Sequence, residues 1–364
     1  VNLFGARNRG NTGTDLNTIP MLAIDSVQVL RDGAAAQYGS DAIAGVIDIT
    51  LKKRPGCEAV FGYGQYSAGD GRNYLATAYC GFATGNGGST GITAEFLDRG
   101  RSNRAEAGNP RIIGDTKTQN ATIYVNGEVP VSGAAKLYYT LGYQTRDASS
   151  AAFARGGIGS DDIPSRNSAA MYPDGFVPFI NGDIEDRYVT VGYKRQFGDW
   201  NADISQTYGY NKLKYNISNT INASIANYDL LHGGPGRSAS AFNAGGFSFS
   251  QMTTNADVSR FFPNVMNGMN VAFGAEYRRE NYQIFAGEPG SYNDADGVGF
   301  GGNAGSQGFP GFQPADATDR SRNSVAGYVD IETDLTPRLK LATALRAERF
   351  SDFGSTVTGK IAAS

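Results

Sequence analysis

The most constraining feature of the sequence is a series of long segments in which apolar and polar residues alternate. Leu137, Leu141 and Tyr143 fall on one face of such a segment, and Thr140 and Gln144 fall on the other. Strict alternation predicts β-strands with one apolar face, so the chain is expected to be all-β. The predicted strands cover 57–67, 72–84, 89–99, 117–130, 133–147, 186–197, 200–216, 246–260, 268–285, 321–334 and 338–352, and a last one starts near 357.

The lengths of the strands and of their connections distinguish a membrane barrel from a soluble β-sandwich. Many predicted strands have 10–15 residues, whereas soluble strands usually have about 5–6, and a tilted strand of this length can cross a bilayer. Short links alternate with long ones, as in outer-membrane barrels, which have short turns at one end and long loops at the other. The long links are predicted at 100–116, 148–185, 217–245 and 286–320.

The polar face of the predicted strands carries charged side chains. A small barrel filled by its own side chains could not hold them unpaired, whereas a wide barrel with a plug can, and plugged lumens are typical of about 22 strands. Eleven strands and the start of a twelfth predict about half of such a barrel, so we interpret the chain as a fragment whose remaining strands and targeting signal lie outside it. The charged residues are Glu128, Glu276, Arg278, Glu280, Glu332, Lys340, Arg346 and Glu348.

Composition excludes several classes of protein. The net charge of −3 and the pI of 5.4 do not favour nucleic-acid binding, which needs a basic surface. One His and two Cys leave no zinc cluster, so no metal site and no cofactor are predicted. Cys57 and Cys80 fall nearly opposite each other on adjacent predicted strands, where either a disulfide or two free buried thiols would be compatible with the spacing.

The first fifty residues contain a strand, a glycine-rich turn and a second strand. Segments 24–33, 38–40 and 42–47 resemble the end of the plug domain of TonB-dependent outer-membrane receptors, with departures from the usual pattern at Asp25, Gln28, Ala35 and Asp48. The glycines suit turns or close backbone approaches, where a Cβ atom would clash. The residues that carry the structural motif are Arg31, Gly33, Tyr38, Gly39 and Gly45.

This resemblance implies an architecture and a function. It implies a plug part at 1–56 and the N-terminal half of a large antiparallel transmembrane β-barrel at 57–364, both incomplete, in the bacterial outer membrane. It implies active uptake of a scarce extracellular ligand, driven by the TonB complex of the inner membrane through a segment absent here. A ferric siderophore is the first expectation, with cobalamin, haem or an oligosaccharide as alternatives. A passive porin-like channel, in contact with the same outer-membrane lipid, is the alternative of another class.

Candidate ligand-binding residues lie in two regions. The first precedes the plug motif and resembles a plug apex, where arginines would suit an anionic ligand because guanidinium groups pair with its oxygens; a solvated polar loop is the alternative. The second lies in the predicted long loops, where aromatic rings could stack on a ligand or pack the loops. The candidates are Arg7, Asn8, Arg9, Asn11 and Thr12 in the first region, and Tyr172, Phe176, Tyr228 and His232 in the second.

Two short motifs resemble catalytic or metal-binding signatures. Residues 87–91 fit G-x-S-x-G, but a nucleophile elbow needs a strand-to-helix turn and a histidine partner, and His232 is the only histidine. Residues 293–297 resemble the start of a calcium loop, but Tyr292 and Asn303 stand where an EF-hand loop needs carboxylates. We therefore predict neither enzymatic activity nor calcium binding.

Overall fold

The computed structural model describes residues 15–31, 45–297 and 301–364. A small antiparallel sheet pairs β1 (Ile24–Arg31) with β2 (Gly45–Leu51). Two short 3₁₀ helices, Leu16–Thr18 and Met21–Ala23, precede this sheet. We call the described residues 15–31 and 45–55 the plug segment.

A second sheet has twelve strands and contains most of the chain. Each strand pairs antiparallel with its neighbours in the sequence, so the sheet is a continuous meander. β3 and β14 are its two edges, and they do not pair with each other in the described residues. The strands are β3 (Gly56–Gly64), β4 (Asn73–Thr84), β5 (Gly88–Arg99), β6 (Lys117–Ser132), β7 (Ala135–Ala151), β8 (Phe179–Phe197), β9 (Trp200–Ser218), β10 (Ala241–Phe262), β11 (Met269–Phe285), β12 (Thr318–Thr336), β13 (Leu339–Phe350) and β14 (Gly354–Ala363).

The predicted strands are confirmed, and several are longer than predicted. β8 begins at Phe179 rather than at residue 186, because its start pairs with the end of β9 in a register that joins Asp183 to Lys214. Alternation fails in this stretch, where Asn181, Gly182 and Asp183 follow one another. Pairing with a neighbouring strand therefore extends the strand where the residue pattern alone does not.

The connections alternate in length as predicted. Five short turns join the strands at one end of the sheet, the turn end. Four long loops join them at the opposite end, the loop end, together with two shorter links, 65–72 and 351–353, which are exceptions to the alternation. The turns cover 85–87, 133–134, 198–199, 263–268 and 337–338, and the loops cover 100–116, 152–178, 219–240 and 286–317. The loop at 219–240 contains a helix that the sequence analysis did not predict, α1 (Ala223–Leu231). No helix among the described residues is long and apolar enough to cross a membrane.

The two faces of the large sheet differ in chemistry. Phe61, Val357 and Ile361 are strongly exposed on one face, the outer face. The other face carries the plug segment and buried polar residues such as Gln144 and Arg346, and we call it the lumen face. A large apolar surface is unfavourable in water and is the surface that a membrane barrel presents to lipid, as the alternation predicts.

Tyrosine rings on the lumen face lie flat on glycines of the neighbouring strand. Gly142 is the register partner of Tyr124, and Gly274 is the register partner of Tyr328. A Cβ atom on Gly274 would lie 2.6 Å from Cε1 of Tyr328, and one on Gly142 would overlap the Tyr124 ring. Only glycine therefore lets these rings approach the wall so closely.

Cys57 and Cys80 form a disulfide with an S–S distance of 2.08 Å. They are register partners in the first hairpin of the large sheet. Of the two alternatives that the sequence leaves open, the disulfide is the correct one.

Candidate ligand-binding site

The described parts of three long loops, 152–178, 219–240 and 286–317, pack together at the loop end and form a unit that we call the loop cap. Asn222 of the second loop forms a β-bridge with Ser306 of the third. The backbone N–H of Asn303 donates to the carbonyl of Ser165 in the first loop at 2.7 Å. Backbone contacts thus join all three loops.

Apolar side chains form the interior of the loop cap. Phe176, Ile221 and Ala226 are buried together, and Met171 and Tyr172 pack against them. These residues come from two of the three loops. Burial of apolar surface therefore adds to the backbone contacts in holding the cap together.

A second apolar cluster joins the cap to the strands below it. Tyr215, Ile217 and Phe247 form its buried centre on β9 and β10. Phe309 and Phe312 of the third loop pack against this centre, with the Phe309 ring 4.8 Å from the Tyr215 ring between centroids. The third loop is thereby seated on the barrel wall.

Buried polar side chains also connect the loops. Asn222, which is fully buried, donates through Nδ2 to the carbonyls of Gly290 and Asn293, each at 2.9 Å. The Thr220 hydroxyl donates to the carbonyl of Gln307 at 2.7 Å, and Arg155 Nε donates to Gln307 Oε1 at 2.7 Å. Such networks rigidify a structure when their members are satisfied.

The structure places Tyr172 and Phe176 inside the loop cap. Their rings stack with centroids 4.2 Å apart, and the Tyr172 hydroxyl donates to the carbonyl of Thr220 at 3.0 Å. Burial raises the pKa of Tyr172 above its usual value. The loop-packing alternative describes their position in the structure, and a direct ligand contact stays a prediction.

Tyr228 and His232 lie at the C-terminal end of α1 and stack on each other with centroids 3.9 Å apart. Nδ1 of His232 lies 2.8 Å from the carbonyl oxygen of Tyr228. The Tyr228 residue is 46% exposed. This pair is therefore open to molecules approaching the cap, and its role in binding also stays a prediction.

The predicted apex residues Arg7, Asn8, Arg9, Asn11 and Thr12 lie outside the described residues. Of the plug motif, Gly33, Tyr38 and Gly39 also lie outside them. Arg31 and Gly45 are register partners at one end of the β1–β2 pair.

The plug segment contacts the lumen face of β4 to β7. The Tyr79 hydroxyl donates to the carbonyl of Arg54 at 2.8 Å, and Asn126 Nδ2 donates to the carbonyl of Lys52 at 2.9 Å. Lys53 forms an ion pair with Glu128 at 2.8 Å. These contacts fix the chain at the transition from the small sheet to the large one.

Further toward the loop end, the plug segment is held by Gln144 and Arg146 of β7. Nη1 of Arg146 donates to Oδ2 of Asp15 at 2.6 Å, and Nε2 of Gln144 donates to the carbonyl of Asn17 at 3.0 Å. Burial raises the pKa of Asp15, but hydrogen bonds from the Asn17 N–H and from Arg146 outweigh it and lower the pKa below its usual value. Arg146 was not among the predicted site residues, although alternation places it on the same polar face as Gln144.

Among the described residues, all of the predicted lumen charges except Glu332 form ion pairs. Arg346 contacts Glu276 at 3.1 Å and Glu348 at 3.2 Å, and Arg278 contacts Glu276 at 2.9 Å. The Arg346 and Glu348 side chains are only 2% exposed. Glu280 pairs with Arg322 in the same way. Pairing lowers the cost of burying these charges.

A further ion pair lies at the loop end. The Arg104 guanidinium and the backbone N–H of Asn103 bind Asp70 and lower its pKa to about 2. Asp70 precedes β4 and Arg104 belongs to the loop 100–116, so the pair joins two loops outside the cap. The sequence analysis did not single out either residue.

The two short motifs have structural roles where they are described. Residues 87–91 form a turn and the start of β5, a strand-to-strand context. Asp296 accepts from Asn227 Nδ2 at 2.8 Å and from the Gly302 N–H at 3.0 Å. Across residues 15–31, 45–297 and 301–364, no three His, Cys, Asp or Glu side chains are grouped as a metal site would need.

The first fifty residues match a family model. The TonB-dependent receptor plug domain model covers residues 2–46, and the wall beyond it binds this segment through the contacts described above. Residues 2–46 therefore form part of a TonB-dependent receptor plug domain. The resemblance stated from residues 24–47 is confirmed, and the family is one of transport receptors.

Three proteins are similar to this chain over nearly its whole length. The ferric enterobactin receptor PirA of Pseudomonas aeruginosa is 26% identical over 378 residues, covering 96% of this chain and 45% of that protein. A crystal structure of a mutant of the ferric enterobactin receptor PfeA of Pseudomonas aeruginosa superposes with a TM-score of 0.66 at 14% identity, covering 96% of this chain and 48% of that one. The siderophore receptor PirA of Acinetobacter baumannii gives a TM-score of 0.66 at 13% identity, covering 96% and 47%.

The structural likeness establishes the fold, an antiparallel barrel wall with a plug. The predicted fold class is therefore confirmed, although the twelve strands do not close into a barrel. The chain spans about half the length of the relatives that it matches.

Proposed function

We propose that the protein takes up a ferric siderophore across the bacterial outer membrane in a TonB-dependent manner. The observation that carries the proposal is the plug-domain match at residues 2–46 in a chain whose lumen face binds the described plug residues. A plug blocks passive flow, so its presence argues against a porin-like channel. The energy would come from the TonB complex of the inner membrane, which is the proposed protein partner.

The siderophore assignment is supported by the relatives and by the chemistry of the site. PirA of Pseudomonas aeruginosa is named for ferric enterobactin, and ferric siderophores of this kind present anionic oxygens. Arg7 and Arg9 precede the plug motif, and Arg146 lies on the lumen face below the loop cap. Guanidinium groups bind such oxygens through charge-assisted hydrogen bonds. Cobalamin, haem and oligosaccharides are the competing ligands.

The proposed domain division places the plug part at 1–56 and the barrel part at 57–364. The ligand would pass the loop cap, where Tyr228 and His232 are exposed, and then reach the plug apex at Arg7, Asn8, Arg9, Asn11 and Thr12. Each of these contacts is part of the proposal.

Growth and uptake experiments with the full-length receptor test this function. Cells that depend on the receptor for iron should take up ferric enterobactin, and deletion of TonB should abolish uptake without abolishing binding. Uptake that continues without TonB would exclude the proposed mechanism. Binding of cobalamin or haem in place of ferric enterobactin would exclude the proposed ligand.

A pair of matched variants tests the apex. Replacing Arg7 and Arg9 together by alanine should weaken binding of ferric enterobactin about tenfold or more, because each charge-assisted hydrogen bond contributes about 1.5–3 kcal/mol. Arg338→Ala, at a turn on the opposite end of the sheet, is the control and should bind like the wild type. Equal binding by all three proteins would exclude the apex assignment.

A further inference from the structure

The ion pair between Asp15 and Arg146 joins the plug segment to the barrel wall. Arg146 belongs to the part of β7 nearest the loop end, below the mouth through which a ligand would enter. Asp15 follows the predicted apex residue Thr12 by three positions. The pair therefore connects the proposed ligand-contacting part of the plug to the wall.

The geometry of this pair leaves it open to competition. Asp15 uses one guanidinium N–H, that of Nη1, while Nη2 of Arg146 donates to Gln144 Oε1 at 3.0 Å. Nε of Arg146 has no acceptor among the described residues. The Asp15 side chain is 43% exposed and that of Arg146 is 14% exposed. The contact is thus a single hydrogen-bonded pair that is accessible from its Asp15 side, while the unpaired Nε of Arg146 is buried.

The surrounding wall favours a second anion. Arg99 lies on the same face of β5, one step closer to the loop end in the register, and donates to the Thr118 hydroxyl at 3.4 Å. Within the described ranges it has no carboxylate partner. Asp186, the register partner of Gln144 on β8, accepts from Asn211 Nδ2 at 2.8 Å and forms no ion pair with Arg146. Arg99 and Arg146 therefore face this part of the lumen, and among the described plug residues Asp15 supplies the carboxylate that pairs with Arg146.

We propose that Arg146 is an exchangeable latch, from which an anionic ligand displaces Asp15 and so frees the plug from the wall. The inference rests on the proposed function, because it requires a ligand that presents paired anionic oxygens. Such a ligand can bind the guanidinium with two parallel hydrogen bonds, which are stronger and more directional than the single bond to Asp15. After exchange, the neutral hydrogen bond from Gln144 to Asn17 and the packing of the buried Pro20 and Ala23 hold this part of the plug segment.

Competition between Asp15 and the ligand for Arg146 predicts an effect on binding that is not expected if the ion pair is only structural. If Asp15 occupies Arg146 before the ligand arrives, only the proteins in which Arg146 is free can bind the ligand there. The apparent affinity is then the intrinsic affinity multiplied by the fraction of proteins with free Arg146. Asp15→Asn should then tighten binding of ferric enterobactin about three- to tenfold, the range expected for a partly exposed ion pair. Arg146→Gln should weaken binding about tenfold to a hundredfold, and Arg146→Lys, which keeps the charge but loses the planar fork, should fall between.

The binding experiment uses the full-length receptor in outer-membrane preparations and ferric enterobactin carrying radiolabelled iron. Asp25→Asn is the matched control, since it removes the same charge from the exposed part of β1 and should bind like the wild type. If Asp15→Asn weakens binding, or leaves it unchanged, the latch is overturned.

A spin label reports release of the plug directly. Leu16→Cys places a label on an exposed residue beside Asp15. Within this chain Cys57 and Cys80 are joined in a disulfide, and any further cysteine of the full-length receptor is replaced by serine. The label should be more mobile in Asp15→Asn without ligand, and ferric enterobactin should increase its mobility in the wild type but add little in Asp15→Asn. A label that is equally immobile in both proteins without ligand would refute the latch.

The two proposals fail in different ways. If no ferric siderophore binds the wild type, the proposed function fails, and exchange by such a ligand fails with it. If ferric enterobactin binds and is taken up but Asp15→Asn neither tightens binding nor frees the label, only the latch fails.

Discussion

Replacing Asn222 by alanine should loosen the loop cap without unfolding the barrel wall. Asn222 is the N-cap of α1, where its Oδ1 accepts from the Ile225 N–H at 3.2 Å, and its Nδ2 donates to the carbonyls of Gly290 and Asn293. Loss of the cap costs about 1 kcal/mol. Loss of the Nδ2 donor to two partly buried carbonyls costs about 1 kcal/mol each, so the local destabilisation should be about 3 kcal/mol.

Hydrogen exchange measures this effect. The amides of α1 should exchange roughly a hundredfold faster in Asn222→Ala, because each 1.4 kcal/mol changes an equilibrium constant about tenfold. Amides of β6 and β7, which do not contact the cap through Asn222, should keep their rates. Asn109→Ala, in the exposed loop 100–116, is the control and should leave α1 unchanged.

Two outcomes would refute the reasoning. Unchanged exchange in α1 would mean that the cap does not depend on the Asn222 hydrogen bonds. Equal acceleration in α1 and in β7 would mean that the cap and the wall unfold as one unit, contrary to the local role assigned here.

Three further predictions concern the wall and the plug. Arg346→Ala should lower the free energy of unfolding by about 3–5 kcal/mol, because it leaves Glu348 buried without its partner; a change below about 1 kcal/mol in urea unfolding would contradict this. Replacing Cys57 and Cys80 by serine should lower the free energy of unfolding by about 3 kcal/mol, since the disulfide spans 23 positions. An unchanged midpoint of urea unfolding would contradict this. The lowered pKa of Asp15 means that its pair with Arg146 contributes fully above the usual carboxyl range and is lost as pH falls through the lower, folded-state pKa. A label at position 16 should therefore become mobile only on acidification below the usual carboxyl range, and release near pH 6 would contradict the assignment.

The sequence predicted the wall better than the loops because the two obey different rules. Each wall strand has one face toward the lumen and one toward the outside, so alternation recurs from strand to strand and reveals both faces. The same pattern predicted which links are long and which are short, because it fixed where each strand begins and ends. The residues at the loop end of β8, such as Asn181 and Gly182, lack alternation, and their pairing with β9 was visible only in the structure.

The candidate site was predicted only in part. Helix α1 buries Ala223, Ser224, Ala226 and Asn227, a mixed set without the apolar stripe that usually reveals a helix. Asn222 looked like any loop asparagine, because its partners lie about 70 positions away in the chain. Arg146 could have been found, since alternation places it on the same face as Gln144, but its partner on the plug could not.

The tyrosines that lie flat on wall glycines have a consequence for the width of the lumen. A ring that stood away from the wall would take up space in the lumen, whereas Tyr124 on Gly142 and Tyr328 on Gly274 add little to the thickness of the wall. The glycines thus leave more room in the lumen, which is the side on which the plug segment lies. A share of the 49 glycines in this chain, which composition alone would assign to loops, therefore provides clearance between the wall and the lumen contents.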